Sequence, residues 1–349
     1  MAEKKKAKKI LLKQRAMRRV LVALLPCVVG AVYFFGWRCL GVVLWAGAVG
    51  FLTEYAFARA RGEPVTEAVF VTTTLLALVM PPTVPWHVLT VGVVFAVMFT
   101  KEIFGGFGRN IFNPALAGRC FVYVCFPVAL TGTWAPVADG FWGALDRWST
   151  VVTPDATTGA TPMAYLKAGK IALESTDASS SEIPFEIAEG DRVAVKPSVL
   201  FKALLLGRLS GTMGVTSVLL IALGGIYLFV TKTASRTIIL WLIGTYAVLN
   251  QLLYFCGVEP VPGAWPAVLG GGFLFGAFFM ATDPVSSPRT ELARIAYAII
   301  IGACTVVIRN FSIFNGGLMF SILIGNMFAP ILDYAAKAHA ARRKAREKA

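Results

Sequence analysis

Phe104-Gly105-Gly106-Phe107-Gly108-Arg109-Asn110-Ile111-Phe112-Asn113-Pro114 interrupts an otherwise apolar run, and Gly270-Gly271-Gly272-Phe273-Leu274-Phe275-Gly276, ending in Ala281-Thr282-Asp283-Pro284, interrupts another. Glycine lets helices approach closely and proline removes a backbone donor. Such stretches in apolar surroundings predict interrupted helices whose freed polar groups face a cavity, a ligand or water. Close packing through small residues is the plainer reading. That one break falls in each half of the chain favours a binding site.

The surroundings are apolar throughout. The 349 residues are 57% hydrophobic and 15% charged, with a mean hydropathy of +0.70, which excludes a soluble domain of this size and implies a bilayer. At ~20 residues per crossing, spans are predicted near 20–37, 39–58, 66–81, 84–100, 111–130, 211–231, 236–256, 264–282, 290–308 and 313–334. The predicted fold is an all-α polytopic membrane protein of about ten helices. Five helices on either side of a long insertion predict two halves of opposite orientation, the inverted-repeat plan of many transport folds.

Charge orients this plan. The formal net charge of +14 would suggest nucleic acid in a soluble protein, but the basic residues crowd into residues 1–19 and 337–349. They read as cytoplasmic anchors on anionic lipid, with no nucleic-acid partner implied. Arg59, Arg61, Lys101, Arg109, Lys232, Arg236, Arg289 and Arg294 fall in loops on that same predicted side. The domain plan is then a basic N-terminus (1–19), a first half (20–131), an extracytoplasmic loop (132–196), a second half (197–336) and a basic tail (337–349). A short amphipathic re-entry helix is expected over 197–209. No signal-peptide cleavage site follows the basic start, so the first helix is expected to stay.

The extracytoplasmic loop contains Asp155-Ala156-Thr157-Thr158-Gly159-Ala160-Thr161-Pro162-Met163. By residue type this is a turn-prone, hydroxyl-rich segment. It resembles the flavinylation motif Asp-x-x-Ser/Thr-Gly-Ala-Thr of the NqrB/RnfD family, the membrane flavoprotein subunits of sodium-pumping NADH:quinone reductase and of the Rnf complex. The likeness extends from about residue 20 to about 336. It includes Lys101-Glu102-Ile103-Phe104-Gly105-Gly106, Asn113-Pro114-Ala115-Leu116-Ala117-Gly118-Arg119, Phe279-Met280-Ala281-Thr282-Asp283-Pro284-Val285-Ser286 and Phe328-Ala329-Pro330-Ile331-Leu332-Asp333-Tyr334.

This resemblance implies a urea-transporter-like arrangement and a covalent FMN esterified through its phosphate to Thr161. It also implies a non-covalent riboflavin hydrogen-bonded by Asn110 and Asn113. Nearly one helical turn separates those asparagines, so both amides could address one ring edge, or they could cap the fifth span. Implied partners are the other subunits of a six-subunit complex in a bacterial inner membrane, a second covalent flavoprotein subunit among them, with quinone as a further partner. Sodium or proton movement would accompany electron transfer.

A carboxylate at bilayer depth is costly and is usually kept for an ion or proton route. Glu54, Glu102, Asp283 and Asp333 are such acids, at predicted span ends, and each could instead be solvated or paired with Lys or Arg. Asp283 and Asp333, which sit in family-like motifs, rank above Glu54 as contributors to an ion path. Phe104, Phe107, Phe112, Phe275 and Phe279 could stack near a flavin, although lipid contact explains most such aromatics. Six cysteines without CxxC spacing argue against disulfides, zinc or a self-contained iron–sulfur site.

No dinucleotide fingerprint, Walker lysine or hydrolytic triad is present, so chemistry on NADH must happen elsewhere. Only about 19 residues precede the first span, closer to RnfD. Lys101-Glu102, Gly118-Arg119 and Glu67-Ala68-Val69-Phe70-Val71-Thr72-Thr73 look more like NqrB. The expectation is an NqrB-type redox subunit, with RnfD as its alternative and a cofactor-free channel or secondary transporter as the rival from another class.

Overall fold

The computed structural model describes residues 10–138, 140–150, 162–174, 183, 192–312 and 316–348. Thr161, and with it the hydroxyl-rich motif from Asp155, lies outside the described residues. The first half contains α1 (Arg15–Phe35), α2 (Arg38–Arg61), α3 (Ala68–Leu78), α4 (Trp86–Val97), α5 (Pro114–Cys125) and α6 (Pro127–Thr131), with a π-helical turn, Met98–Glu102, continuing α4. The loop region holds α7 (Pro162–Lys167). The second half contains α8 (Pro197–Leu206), α9 (Val218–Val230), α10 (Arg236–Phe255), α11 (Ala264–Leu269) and α12 (Phe273–Phe275). A second π turn, Gly276–Met280, follows, and then α13 (Glu291–Phe311) and α14 (Gly317–Lys348).

Five of these, α1, α2, α10, α13 and α14, are long and apolar enough to cross a membrane, and α3, α5, α8 and α9 are shorter apolar helices. The chain is therefore a mostly helical, multi-pass membrane protein. Two short parallel pairs are the strands found among the described residues: β1 (Leu11–Leu12) with β2 (Val65–Thr66), and β3 (Ile171–Leu173) with β4 (Val193–Val195).

Local sequence explains where the helices begin and break. Ser217 and Ser235 accept from the third N–H of α9 and α10, and Gly62, at φ +71°, ends α2 in the left-handed conformation that glycine tolerates. The fifth predicted span, 111–130, is shorter than expected: α5 starts only at Pro114 and stops at Cys125. Phe126 leaves helical geometry there, as the residue before Pro127 is driven to do. The predicted span 264–282 is divided by Gly271 and Gly272, both at positive φ, into α11 and the α12–π segment. A short apolar helix, α8, occupies part of 197–209, where a re-entry helix is expected. The basic tail is not a separate element, because α14 runs through it to Lys348.

Packing follows the same order in both halves. α2 lies against α3 and α4, and α4 against α5; α10 lies against α11 and α13, and α13 against α14. α1 and α9 join the halves, meeting where a Cβ added at Gly224 would lie 2.0 Å from the Ala23 carbonyl. The backbone contact depends on that missing side chain. One large apolar core, from Leu24 and Phe35 through Leu76 and Val97 to Tyr246, Phe273 and Ile301, extends through both halves, with smaller clusters around Tyr165 and around Leu200.

Candidate functional site

Two cavities lie back to back within the core. The first, of about 400 Å³, is lined by Lys101, Phe107, Asn110, Asn113 and Pro114, by Val71, Thr72 and Leu75 of α3, and by Phe278, Phe279, Thr282 and Asp283. Arg15 and Arg19 of α1 and Lys232 also line it. The second, of about 200 Å³, is lined by Arg119 and Tyr123 of α5, Ala164 of α7, Gly271, Gly272, Phe275, Gly276 and Met280, and Arg309 of α13. The π turn 276–280 thus presents Phe278 and Phe279 to one cavity and Gly276 and Met280 to the other. α5 bridges them too, with Pro114 on the first and Arg119 on the second, about 7.5 Å further along the axis.

The two predicted asparagines both border the first cavity, but their amides are used differently. Asn113 is the N-cap of α5: its Oδ1 accepts from the backbone N–H of Ala115 at 3.0 Å and of Leu116 at 3.4 Å. Its Nδ2 donates to the Met280 carbonyl at 3.2 Å, and its own N–H donates to Oδ1 of Asn326 at 3.1 Å. Asn110 makes one side-chain bond among the described residues, from Nδ2 to the Phe112 carbonyl at 3.1 Å. Its carbonyl oxygen accepts from no protein group there, so Asn110 has spare capacity for a ligand and Asn113 has little.

The acids separate in the same way. Asp283 folds the Asp-Pro-Val-Ser turn onto itself, its Oδ2 accepting from the Ser286 hydroxyl at 2.7 Å, while its residue borders the first cavity. Asp333 reaches from α14 to the start of α13 and accepts from the N–H of Arg289 at 2.9 Å and of Thr290 at 2.9 Å, and from the Thr290 hydroxyl at 2.8 Å. It anchors the two residues that lead into α13, whose own first turn already carries Glu291. Glu102 is buried, with Oε2 on the Arg61 guanidinium and Oε1 without a partner among the described residues.

Glu54, ranked below the others from sequence, is as deeply buried as Glu102. It is 2% exposed and forms an ion pair with Lys101, also 2% exposed. Oε1 of Glu54 accepts from the Thr66 N–H at 2.8 Å and hydroxyl at 2.7 Å, and Nζ of Lys101 donates to that same hydroxyl oxygen at 2.8 Å. Lys101 also stands 6.0 Å from the Phe107 ring centre and lines the first cavity. A lysine ending an apolar run reads as a surface residue, so this pair was not legible as one.

The arginines of the second cavity also went unread. Arg309, 6% exposed, donates from Nη1 to the Tyr246 hydroxyl at 3.1 Å and the Ala267 carbonyl at 3.3 Å, leaving Nη2 without an acceptor among the described residues. Nε of Arg119 is likewise buried without one. Lys167 of α7 donates to the Arg309 and Ser312 carbonyls, tying α7 to the end of α13. Burial first, and then the charge of Arg309, hold the Lys167 amine below the usual lysine range.

Among the described residues, no group of three or more His, Cys, Asp or Glu could hold a metal. The likeness to known proteins is extensive. The family model described as the NQR2, RnfD, RnfE family matches residues 7–342. The B subunit of the Na(+)-translocating NADH-quinone reductase of Pseudoalteromonas atlantica is 36% identical over 305 residues, covering 85% of this chain and 66% of that one. The Klebsiella pneumoniae protein of the same name is 35% identical over 326 residues, covering 91% and 70%. The D subunit of the ion-translocating oxidoreductase complex of Alcanivorax borkumensis is 34% identical, covering 91% of this chain and 89% of that protein. The chain spans about two thirds of the length of the NADH-quinone reductase relatives. On this match, nearly end to end, the chain belongs to the NQR2, RnfD, RnfE family.

Proposed function

We propose that the protein is a membrane redox subunit of an ion-translocating electron-transport complex, of the NqrB type, carrying FMN on Thr161 and riboflavin in the first cavity. The observation that carries this reading is the pair of adjoining cavities, divided by the π turn 276–280 and the first turns of α5. When bound, the flavins would supply the redox chemistry, with electrons passing from FMN to riboflavin and on towards quinone or another acceptor.

The residues fit such groups. The first cavity, at about 400 Å³, falls within the range of roughly 300–1,000 Å³ common for small-molecule sites, with mostly apolar walls and a set of polar side chains that includes Asn110 and Lys101. Asn110 would bond the ring edge with its uncommitted carbonyl oxygen, while Asn113 holds α5 and the π turn as walls. The second cavity is bordered by α7, the helix that begins at the residue after Thr161. Three peptide units, from residue 161 to Ala164, span at most about 11 Å, so a flavin on Thr161 is within reach of it.

The matching packing order of the halves supports a ten-span inverted repeat in which the shorter helices and the π segments complete the crossings. Basic residues at the start of α1, the end of α2, the π turn after α4, the start of α10 and the first turn of α13, together with the basic tail, outnumber Arg38 and Arg309 at the opposite ends and support an inner-membrane orientation with both termini cytoplasmic. Asp283, Asp333 and Glu102 remain candidates for an ion path. Asp283 fits best, because it borders the first cavity.

Intact-mass measurement of the full chain, matured with its transferase, tests this. One added flavin mononucleotide, lost in Thr161→Ala, is expected; a bare chain overturns the reading in favour of a passive pore. Similar identity to the Alcanivorax relative favours an RnfD role as second reading. Co-purification with an NADH-oxidising subunit or with a ferredoxin-linked one separates the two.

A further inference from the structure

The second cavity is lined by one buried arginine, Arg309, and one half-buried arginine, Arg119, and among the described residues by no carboxylate. Arg119 Nε and Arg309 Nη2 each lie buried with no acceptor there. Neither arginine belongs to an ion pair found among the described residues. A guanidinium stays charged at any working pH, and a buried one needs a counter-charge or hydrogen-bond acceptors. An electron-rich group beyond the described residues would complete this site.

The shape of the cavity narrows the choice. Gly271 and Gly272, at φ +56° and +69°, form part of its wall, and a Cβ at Gly271 would lie 1.8 Å from Nη2 of Arg309. The backbone is thus bare beside the orphaned donor. At about 200 Å³ the space is smaller than sites that engulf a whole ligand, roughly 300–1,000 Å³, as suits a seat for one end of a tethered molecule. Lys167 fixes α7 to the α13 end that carries Arg309, and Ala164 of α7 borders the cavity. The orphaned donors and the chain that follows Thr161 therefore meet at one place.

We infer that Arg119 and Arg309 are positioning residues for the flavin on Thr161, donating to the carbonyl-bearing pyrimidine edge of its ring and favouring the electron-richer reduced form. This rests on the flavinylation reading above. The ring's two carbonyls and intervening nitrogens offer acceptors to planar guanidinium forks. A phosphate, or the headgroup of an anionic lipid, would satisfy the same charge without regard to flavin redox state.

The test uses the full chain matured with its transferase, comparing wild type with Arg119→Gln, Arg309→Gln and Arg309→Lys by intact mass and by anaerobic titration of the covalent flavin. Flavin incorporation is expected to be unchanged. The midpoint potential should fall in both Gln variants. A tenfold weaker hold on the reduced form corresponds to about 30 mV for a two-electron couple, and Lys should recover part of it. A flavinylated chain whose potential is the same in both Gln variants overturns the inference while leaving flavinylation intact; a bare wild-type chain overturns both. Should Arg309→Gln not assemble, Arg119→Gln, which removes no hydrogen bond found among the described residues, decides alone.

Discussion

The backbone N–H of Asn113 donates to Oδ1 of Asn326 at 3.1 Å, joining residues 213 positions apart. The same Asn326 amide donates from Nδ2 to the Tyr297 hydroxyl at 2.8 Å and to the Ser286 carbonyl at 3.2 Å. One side chain thus ties the start of α5 to the Asp-Pro-Val-Ser turn, α13 and α14. It fixes the wall that both cavities share.

Replacing Asn326 by Leu, of similar volume, strands a buried N–H, a carbonyl and a hydroxyl together. At about 1–3 kcal/mol for each buried group left unpaired, and with partial relaxation, a loss of about 3 kcal/mol is expected. A lowered thermal transition of the purified protein in detergent is the readout. An unchanged transition would mean that the knot contributes nothing.

Asn110 and Asn113 should part company. Asn113→Ala removes a helix cap, worth about 0.5–2 kcal/mol, and leaves the Met280 carbonyl with only the longer bond from the Asp283 N–H, so stability and riboflavin content should fall together. Asn110→Ala removes one bond to its own loop, so riboflavin content should drop while the thermal transition stays within about 0.5 kcal/mol of wild type. Extraction and quantification of free riboflavin, beside melting, checks both.

The Glu54–Lys101 pair calls for a double-mutant cycle. Lys101→Met leaves a buried carboxylate, and Glu54→Gln leaves a buried ammonium hydrogen-bonded only to a hydroxyl and an amide, with the Glu102 carboxylate nearby. Each should cost about 3–5 kcal/mol, whereas the double variant should cost clearly less than the sum. Additive losses in denaturant or thermal unfolding would show that the two charges do not stabilise each other.

At the crossing of α1 and α9, Gly224→Val has no room, because its first carbon would already lie 2.0 Å from the Ala23 carbonyl and 3.0 Å from the Phe279 ring. Overpacking of this kind costs about 1–3 kcal/mol. Since Phe279 borders the first cavity, riboflavin content should fall as well. Gly244→Ala, where nothing lies within 4 Å of the added carbon, is the control and should be silent.

Local chemistry made much of the fold legible. Long apolar runs predict α1, α2, α10, α13 and α14, and the X-Pro steps and glycine triplet predict the interruptions, because backbone donors and φ preferences act within a few residues. The equivalence of the two breaks was less visible. In the packing order, the segment between α4 and α5 corresponds to the segment between α13 and α14, whereas the glycine triplet divides an earlier crossing. The echo of Arg109-Asn110-Ile111-Phe112-Asn113 in Arg309-Asn310 and Ile313-Phe314-Asn315 is split by two inserted residues, and so escapes a search for glycine alone.

Residue order by itself determined that this chain lives in a bilayer, where its helices start and break, and which family it joins, since those properties depend on composition and on neighbours along the chain. Only the tertiary structure decided that Asn113 is held to Asn326 while Asn110 keeps a free oxygen, that Glu54 answers Lys101, and that Arg119 and Arg309 share one cavity. Such pairings join groups from 47 to 213 residues apart in a medium without water, where every donor and charge must find its partner through space.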